Sequence, residues 1–457
     1  MPKMRQKRSP QLSVFHTLSV TEIGRELEAI SLIIDETPRM LDPIYHDLVG
    51  VKQTDNGRTG MTAEQVLRCA ILKQYRNMTY EELAFHLTDS SIFRAFARLE
   101  RRQHPSSSTL QENIKALSED TWEAINSALV ANAAETGTEK GRTVRIDSTA
   151  IECNIHYPTD STLLQDGIRV VTRLLIEGKR LFPTPAYSYS DHRRAVKKRV
   201  LKIHNSRKDA VRKECYKDLL DFAARVTDYG LKAISVLAAF KSPYPEHVSD
   251  ARIVKDKLED AINRLSRVMD QTRRRVINGK KVPASEKIVS FFECHSDIIE
   301  KGNRETVYGH KVFLTGGKSG LILDCVIERG NPADSSMFIP LMKRQKDIYG
   351  RCPRQVAGDG GFASKDNVRD GKELGIEDIA FAKRKGISIL EMVKSTWVYK
   401  KLRNFRAGIE ANISVLKRAF GLFRCTWTGW YGFVRCVKSA VVAYNLLLLG
   451  RLRPTPA

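Results

Sequence analysis

The sequence predicts a mixed α/β protein whose sheet is interrupted by a helical insertion and preceded by an all-α region. Three observations predict this fold class. Apolar residues recur at helical spacing in about residues 61–130. A strand-like segment follows, and residues 165–280 then return to helical spacing. Strand and helix patterns alternate through the rest of the chain, which is typical of one mixed sheet flanked by helices.

The N-terminal region is predicted to be a helical domain covering residues 1–135. Thr62 is a candidate N-cap, and Thr79 with Glu82 has the spacing of a capping box. The sequence Asp-Asn-Gly predicts a turn at 55–57. Short helices rich in arginine are compatible with either a helix-turn-helix DNA reader or a plain bundle. Four of these arginines lie close together in the sequence, at Arg94, Arg98, Arg101 and Arg102.

The predicted sheet is assembled from residues 140–165 and 285–450. Its first strand is Thr143–Asp147, an alternating segment that ends in an acid. Two further segments, Tyr308–Leu314 and Leu321–Glu328, read as a β-hairpin. The later elements are a helix, a strand, a helix and a strand, at 334–349, 355–358, from 364 and at 379–381.

The insertion is predicted at residues 166–284 as an antiparallel helical hairpin. Pro243-Tyr-Pro245 separates two apolar stripes, so each stripe should form its own long helix. The first stripe consists of Val211, Cys215, Leu219, Phe222, Val226 and Tyr229, and the second of Val254, Leu258, Ala261, Leu265 and Val268.

The charge balance points to a polyanionic partner. Lys and Arg number 76 against 53 Asp and Glu, which gives a net charge of +23. Nucleic acid is the commonest partner for such a surplus because phosphate contacts release counterions. An anionic membrane and a halo of solvated lysines are the alternatives. The densest basic run, residues 193–213, is predicted to contact the DNA backbone rather than form a solvated helix face, through Arg193, Arg194, Lys197, Lys198 and Arg199.

Cysteine usage and hydropathy favour a cytoplasmic protein with no membrane partner. The eight cysteines form no C-x-x-C pair and read as reduced thiols, neither a zinc site nor a disulfide framework. The N-terminus lacks the apolar stretch of a signal peptide. The most apolar run, Val437–Leu449, is too short and too polar to span a bilayer, and we expect a buried terminal helix there.

Three carboxylates are candidates for chemistry. Asp147 ends the predicted first strand, where a turn or N-cap aspartate is the alternative. Asp359 lies between glycines that allow a close approach, although Asp-Gly is also a plain turn signal. Glu410 shares one side of a predicted helix with Arg406 and Lys417, which a salt-bridged surface helix would also explain.

Taken together, the three acids suit metal-dependent phosphodiester chemistry. Carboxylate oxygens are the ligands that Mg²⁺ and Mn²⁺ prefer. Two such ions, about 3.5–4 Å apart, can activate water or a 3′-hydroxyl and stabilise the leaving oxygen. Arg406 and Lys417, which flank Glu410 in the sequence, are predicted to bind the phosphates.

Five short motifs, in this order, resemble the DDE transposases of bacterial insertion sequences, and the group called "not classified yet" is the most similar. The motifs are Ile-Asp147-Ser-Thr, Tyr308-Gly-His-Lys-Val, Gly330-Asn-Pro-Ala-Asp334-Ser, Gly358-Asp359-Gly-Gly-Phe, and the spacing of Arg406, Glu410 and Lys417. The resemblance covers about residues 60–450. It implies an RNase H-like core with Asp147 on the first strand, Asp359 on the fourth and Glu410 on a late helix. Related enzymes often carry a tyrosine where this chain has Arg403.

The resemblance implies an enzyme that binds terminal inverted repeats through its N-terminal domain. It would cleave DNA and transfer 3′-hydroxyl ends to target DNA by a two-metal mechanism. Double-stranded DNA, as transposon ends and target, and further copies of the chain on that DNA are the implied partners, in the bacterial cytoplasm at the nucleoid. A non-catalytic DNA-binding protein derived from a transposase and an RNase H-like structure-specific nuclease are the alternatives. The former would be expected to have lost an acid.

Weaker signals receive other interpretations. Gly316-Gly-Lys-Ser319 hints at a phosphate loop, but Val312 stands where that motif needs glycine, so we predict a hairpin turn. His295 and His310 could ligate a metal or position a phosphate, although a core histidine is the favoured interpretation of His310. Asp324 is a rival third acid whose apolar neighbours favour a structural role.

Overall fold

The computed structural model of the chain describes residues 6–8, 21–50, 60–181, 187–300, 306–383 and 385–453. The turn predicted at 55–57 lies outside these residues. The contacts divide the chain into two compact units. The first combines Met1–Asn154 with Gly309–Ala457, and the second is Ile155–Tyr308.

The described helices follow the predicted pattern closely. Their bounds are α1 (Glu22–Glu36), α2 (Leu41–Val49), α3 (Ala63–Tyr75), α4 (Tyr80–Asp89), α5 (Ser91–Phe96), α6 (Ser107–Ala116), α7 (Glu119–Glu135), α8 (Asp160–Leu181), α9 (Arg193–Asn205), α10 (Asp209–Ala238), α11 (Pro245–Thr272), α12 (Asp334–Tyr349), α13 (Lys365–Glu373), α14 (Ile389–Met392), α15 (Thr396–Ala419) and α16 (Gly429–Leu452).

The described strands are β1 (Thr143–Cys153), β2 (Asp297–Glu300), β3 (Thr306–Gly316), β4 (Ile322–Glu328), β5 (Gln355–Gly358), β6 (Asp378–Phe381) and β7 (Arg424–Cys425). In the first unit β1 is central, with β3 antiparallel on one side and β5 parallel on the other. β4 pairs antiparallel with β3, and β6 pairs parallel with β5. The fold class predicted from the sequence, a mixed α/β protein with a helical N-terminal region, is confirmed.

The first strand is longer than predicted. It does not end at Asp147 but continues to Cys153. The reason is its antiparallel partner, since β3 extends the ladder as far as the pair Glu152 and Gly309. Asp147 therefore lies within a strand, at the point where the parallel pairing with β5 has just ended.

The N-terminal helices begin at the predicted caps and enclose a buried charge network. Thr62 and Thr79 each close a capping box. The guanidinium of Arg68, which has no solvent exposure, pairs with Glu64 and with Asp35. Arg98 pairs with the same two acids. Each buried charge thus has partners, which is the condition under which burying a charge is tolerated.

The terminal helix α16 joins both ends of the chain in one unit. It packs against α1, α3 and α7, and its residues Val437–Leu447 are almost all buried, which confirms the predicted buried helix. The predicted domain of residues 1–135 is therefore not a separate unit here, because its apolar surfaces are covered by α16. Of the described helices, α16 alone is long and apolar enough to cross a membrane, but 78% of its apolar window is buried inside the protein, as in ordinary core helices.

The second unit is a helical body that is larger than the predicted two-helix hairpin. Both predicted stripes exist, on α10 and α11, and these helices pack together. In addition, α8 packs against both of them and α9 packs against α8 and α10. The four helices share one core that includes Leu164, Val200, Leu219 and Leu265. Its extent, 155–308, is wider than the predicted 166–284, because the first turn of α8 and, after the helices, Ile288 and Phe291 belong to the same core.

We predict that Arg68→Ala destabilises the first unit by about 3–5 kcal/mol, because Glu64 would remain buried without its full set of partners. All four tryptophans, residues 122, 397, 427 and 430, lie in this unit. Urea unfolding followed by tryptophan fluorescence therefore reports on it. Arg101→Ala is the control, since Arg101 is exposed and should change stability by less than about 0.5 kcal/mol. Equal effects of the two substitutions would contradict the role of the buried network.

Candidate active site

Two of the three predicted acids are brought together by strand register. β1 and β5 run parallel, with Ile146 opposite Gly358 as the last pair. The next residue on each strand is an aspartate, Asp147 on β1 and Asp359 after β5. Because the two strands run in the same direction and in register, the residues that follow this pair also lie next to each other, which places the two aspartates side by side.

The third acid joins them through an arginine on α15, a helix that packs on β1, β5 and β6. Nη2 of Arg406 lies 2.7 Å from Oε1 of Glu410, one helical turn away. Nη1 of the same guanidinium lies 3.7 Å from Oδ2 of Asp147 and 3.7 Å from Oδ1 of Asp359. One cationic side chain thus contacts all three carboxylates. In the sequence, 212 residues separate Asp147 from Asp359 and 51 separate Asp359 from Glu410.

The electrostatic environment distinguishes Asp147 from its neighbours. Its side chain is 16% exposed, against 46% for Asp359 and 57% for Glu410. Burial raises the pKa of the Asp147 carboxyl to about 6, and the charges of Asp359 and Glu410 act in the same direction. The amide of Ser148, which donates to Asp147 Oδ1 over 2.8 Å, and the Arg406 guanidinium lower this pKa and oppose the shift.

A second arginine, which the sequence analysis did not select, fixes α15 to the sheet. Arg145 lies two residues before Asp147 and so faces the same side of β1. Its Nη1 donates to the carbonyl oxygen of Phe405 over 3.2 Å, and its guanidinium carbon lies 4.9 Å from the Phe405 ring centroid. A side chain at Gly408 would overlap this guanidinium. The available signal was the position of Arg145 itself, a charged residue between Val144 and Ile146 in the predicted first strand.

Two other residues of the α15 motif, Lys417 and Arg403, lie in different surroundings. Lys417 donates from Nζ to the carbonyl oxygen of Ala150 over 3.0 Å, so its ammonium group lies against the β1 backbone. Arg403, at the position of the family tyrosine, is exposed. Of the motif, Arg406 is therefore the residue that contacts the two aspartates, and it also pairs with Glu410.

The residues of the weaker sequence signals do not belong to the cluster around Arg406. Asp324 accepts two hydrogen bonds from Arg344, at 2.6 and 2.8 Å, which supports its structural role. Residues 316–319 belong to the β3–β4 hairpin, as predicted, and Ser319 donates to Glu139. His310 is fully buried, with its ring 4.9 Å from Trp430 and 4.8 Å from Phe433.

The basic residues selected from the sequence fall into two classes. Arg94 donates to backbone carbonyls at Leu87, Glu100 and Arg101, and Arg98 belongs to the buried network, so these two are structural. Arg101 and Arg102 are exposed. On α9, Arg193 pairs with Asp191 and Arg199 with Asp218. Among the described residues, no ion-pair partner lies near three exposed basic residues of α9, Arg194, Lys197 and Lys198.

Comparison with protein families gives two matches. A model described as "Transposase DDE domain" matches residues 289–446. The chain carries the DDE domain of transposases. A second model, "Transposase domain (DUF772)", matches residues 19–116. Searches of curated proteins and of solved structures returned no match.

The two matched domains are typical of bacterial insertion-sequence transposases, so the resemblance inferred from the motifs is confirmed at that level, while the subgroup stays a prediction. The DDE domain has an RNase H-like fold, which agrees with the mixed sheet around β1. Asp359 and Glu410 of this transposase lie inside the DDE match. Asp147 lies before it, so its assignment depends on the register between β1 and β5.

We predict that Asp147→Asn stabilises this transposase at neutral pH in the absence of divalent ions. A carboxyl whose pKa rises from 3.8 to about 6 on folding destabilises the folded state above pH 6. This penalty disappears as pH falls from 6 towards 4, because the folded state then holds the proton. The substitution should therefore add about 2–3 kcal/mol at pH 8 and nothing near pH 4. Urea unfolding in EDTA across this range measures the effect, with exposed Glu112→Gln as control. If the difference in the free energy of unfolding between Asp147→Asn and the wild type did not depend on pH, the raised pKa of Asp147 would be contradicted.

Proposed function

We propose that this transposase cleaves DNA phosphodiester bonds and transfers the resulting 3′-hydroxyl ends, using Asp147, Asp359 and Glu410 as ligands of Mg²⁺ or Mn²⁺. The observation that carries the proposal is the convergence of three carboxylates from distant parts of the chain on one guanidinium. Charges of one sign are gathered in this way at a cost in stability, so a functional reason for the cluster is expected.

The donor set fits a divalent cation. All donors are carboxylate oxygens, which are hard ligands of the kind that Mg²⁺ and Mn²⁺ prefer. Arg406 supplies one positive charge against three carboxylates, so it leaves two negative charges uncompensated when all three are ionised. Asp359 and Glu410 are half exposed, and their oxygens are accessible from solvent. A pair of ions would supply nucleophile activation and stabilisation of the leaving oxygen.

The chain's own residues have separate tasks in this proposal. Asp147, on a central strand, provides the rigid point of the site, and Glu410 approaches it from a helix that Arg145 holds in place. Arg406 balances the acids in the structure described here. With divalent cations bound to the acids, the guanidinium of Arg406 would be available to a phosphate oxygen of the DNA, in line with its predicted contact role.

DNA contacts outside the site are proposed for exposed basic residues. On α9 these are Arg194, Lys197 and Lys198, and before α6 they are Arg101 and Arg102. Such contacts position the duplex without reading its sequence. The transposon ends and the target would be the bound duplexes, assembly of several copies on DNA would bring two ends together, and the cytoplasm at the nucleoid would be the location.

We predict that Asp147→Asn, Asp359→Asn and Glu410→Gln each reduce cleavage of a supercoiled plasmid carrying the element's ends by more than about 100-fold. Binding of the ends should be nearly unchanged, because basic residues supply most of the affinity. Asp366→Asn is the matched control, since this exposed carboxylate lies outside the cluster. Retained cleavage in one variant would remove that acid from the site. Cleavage by the wild type without joined products would favour the nuclease, and absence of cleavage would favour the non-catalytic DNA-binding protein.

We predict that neutralising Arg194, Lys197 and Lys198 to glutamine flattens the salt dependence of DNA binding by up to about one phosphate equivalent per residue. The matched control neutralises Arg193 and Arg199, whose charges are already paired within the chain. It should change the slope less. Fluorescence anisotropy with labelled duplex over a potassium chloride series measures both. An unchanged slope in the triple variant would mean that α9 presents only a solvated face.

A further inference from the structure

We propose that Asp334 is a positioning residue that sets the separation of Asp147 and Asp359 from the opposite side of the sheet. The inference rests on the proposed function, because it concerns how these two acids are held for metal binding. Asp334 is the first residue of α12 and lies in the motif Gly330-Asn-Pro-Ala-Asp334. It is not one of the three acids that contact Arg406.

The first contact of Asp334 is with the residue beside Asp147. Ser148 donates from Oγ to Asp334 Oδ1 over 3.0 Å. Since neighbouring residues of a strand face opposite sides, Ser148 carries this bond on one side of β1 while Asp147 meets Arg406 on the other. The amide of Ser148 also donates to Asp147 Oδ1. Ser148 therefore connects the Asp334 carboxylate to the Asp147 carboxylate.

The second contact is with the turn that carries Asp359. A Cβ atom at Gly361 would overlap Asp334 Oδ2, so the turn lies directly against this carboxylate and a larger residue there would displace the turn or the carboxylate. The turn is closed by a hydrogen bond of 3.1 Å from the Phe362 amide to the Asp359 carbonyl oxygen. The Asn367 side chain donates to the carbonyl oxygens of Ser335 and Phe362, both at 2.8 Å, and joins the start of α12 to this turn.

A lysine fixes Asp334 itself. Nζ of Lys311, on β3, lies 3.2 Å from Asp334 Oδ1 and donates to the carbonyl oxygen of Pro332 over 2.8 Å. Both side chains are largely buried, at 14% and 21% exposed, which limits competition from water. Asp334 is thereby held by β3 and contacts β1 and the Asp359 turn at once. A small shift of β1 or of the Asp359 turn would change the distance between the two aspartates. Metal ligands must be held to within about 0.5 Å of their working positions.

The test measures Mn²⁺ binding to the full-length protein without DNA, by calorimetry, together with urea unfolding. Asp334→Ala should weaken Mn²⁺ binding about 10- to 100-fold, the range found for residues that orient metal ligands. Asp334→Asn, which can still accept the hydrogen bond from Ser148, should weaken it less. Asp366→Ala, a neighbouring exposed carboxylate, is the control and should leave binding unchanged.

A double substitution separates positioning from general destabilisation. Gly361→Ala should weaken Mn²⁺ binding because the added methyl group pushes the turn away from Asp334. In the combination Gly361→Ala with Asp334→Ala the overlap is relieved, so binding should be no weaker than with Asp334→Ala alone. Additive losses, or wild-type binding in Asp334→Ala, would overturn the proposal. The proposal would also be overturned if the losses of Mn²⁺ affinity only followed the changes in the free energy of unfolding.

Failure of the proposed function gives a different result. If the wild type bound no Mn²⁺, or if Asp147→Asn left binding unchanged, the metal assignment itself would fail. Amide hydrogen exchange then still tests Asp334. Asp334→Ala should accelerate exchange at Ser148 and Phe362 but not within α16, and unchanged exchange at both amides would overturn the positioning role.

Discussion

The parallel pairing of β1 with β5 is the constraint on which the candidate site depends. It places Ile146 opposite Gly358, so that the aspartates following these two residues lie next to each other. A slip of one residue would turn Asp147 to the opposite face and separate it from Arg406. The register is held by apolar residues such as Val144 and Val356, which are fully buried on the paired strands. Core packing therefore determines the geometry of the site.

Two arginine side chains, Arg145 and Arg406, connect the sheet to α15 in distinct ways. Arg145 has a structural task, because it bonds to the backbone of α15 and stacks on Phe405. Arg406 contacts three carboxylates, and its neighbour Asp147 has a pKa raised to about 6 by burial. In the first arrangement the charge has a carbonyl oxygen and an aromatic ring as partners. The second gathers like charges in a partly desolvated place, which costs stability and is typical of a site arranged for a ligand.

The helical insertion explains how 212 residues can separate two acids of one site. The second unit has its own hydrophobic core, to which α8, α9, α10 and α11 all contribute. An insertion that buries its own apolar surface does not require the sheet to change. β1 and β5 can therefore pair as neighbours although the chain between them forms a separate compact unit.

The sequence by itself predicted the element types, several of their bounds and the three candidate acids. Local signals carry this information: capping residues such as Thr62 and Thr79, the period of the apolar residues, and the order of short motifs. It did not determine the length of β1, which depends on pairing with β3, or the packing of α16 on the N-terminal helices. It also grouped Arg94 and Arg98 with the DNA-binding candidates, although both form hydrogen bonds or ion pairs within the protein. Only the tertiary structure decided which charges are paired and which are buried. The reason is that ion pairs, and the contacts of Arg145 and Asp334, form between residues that are distant in the chain.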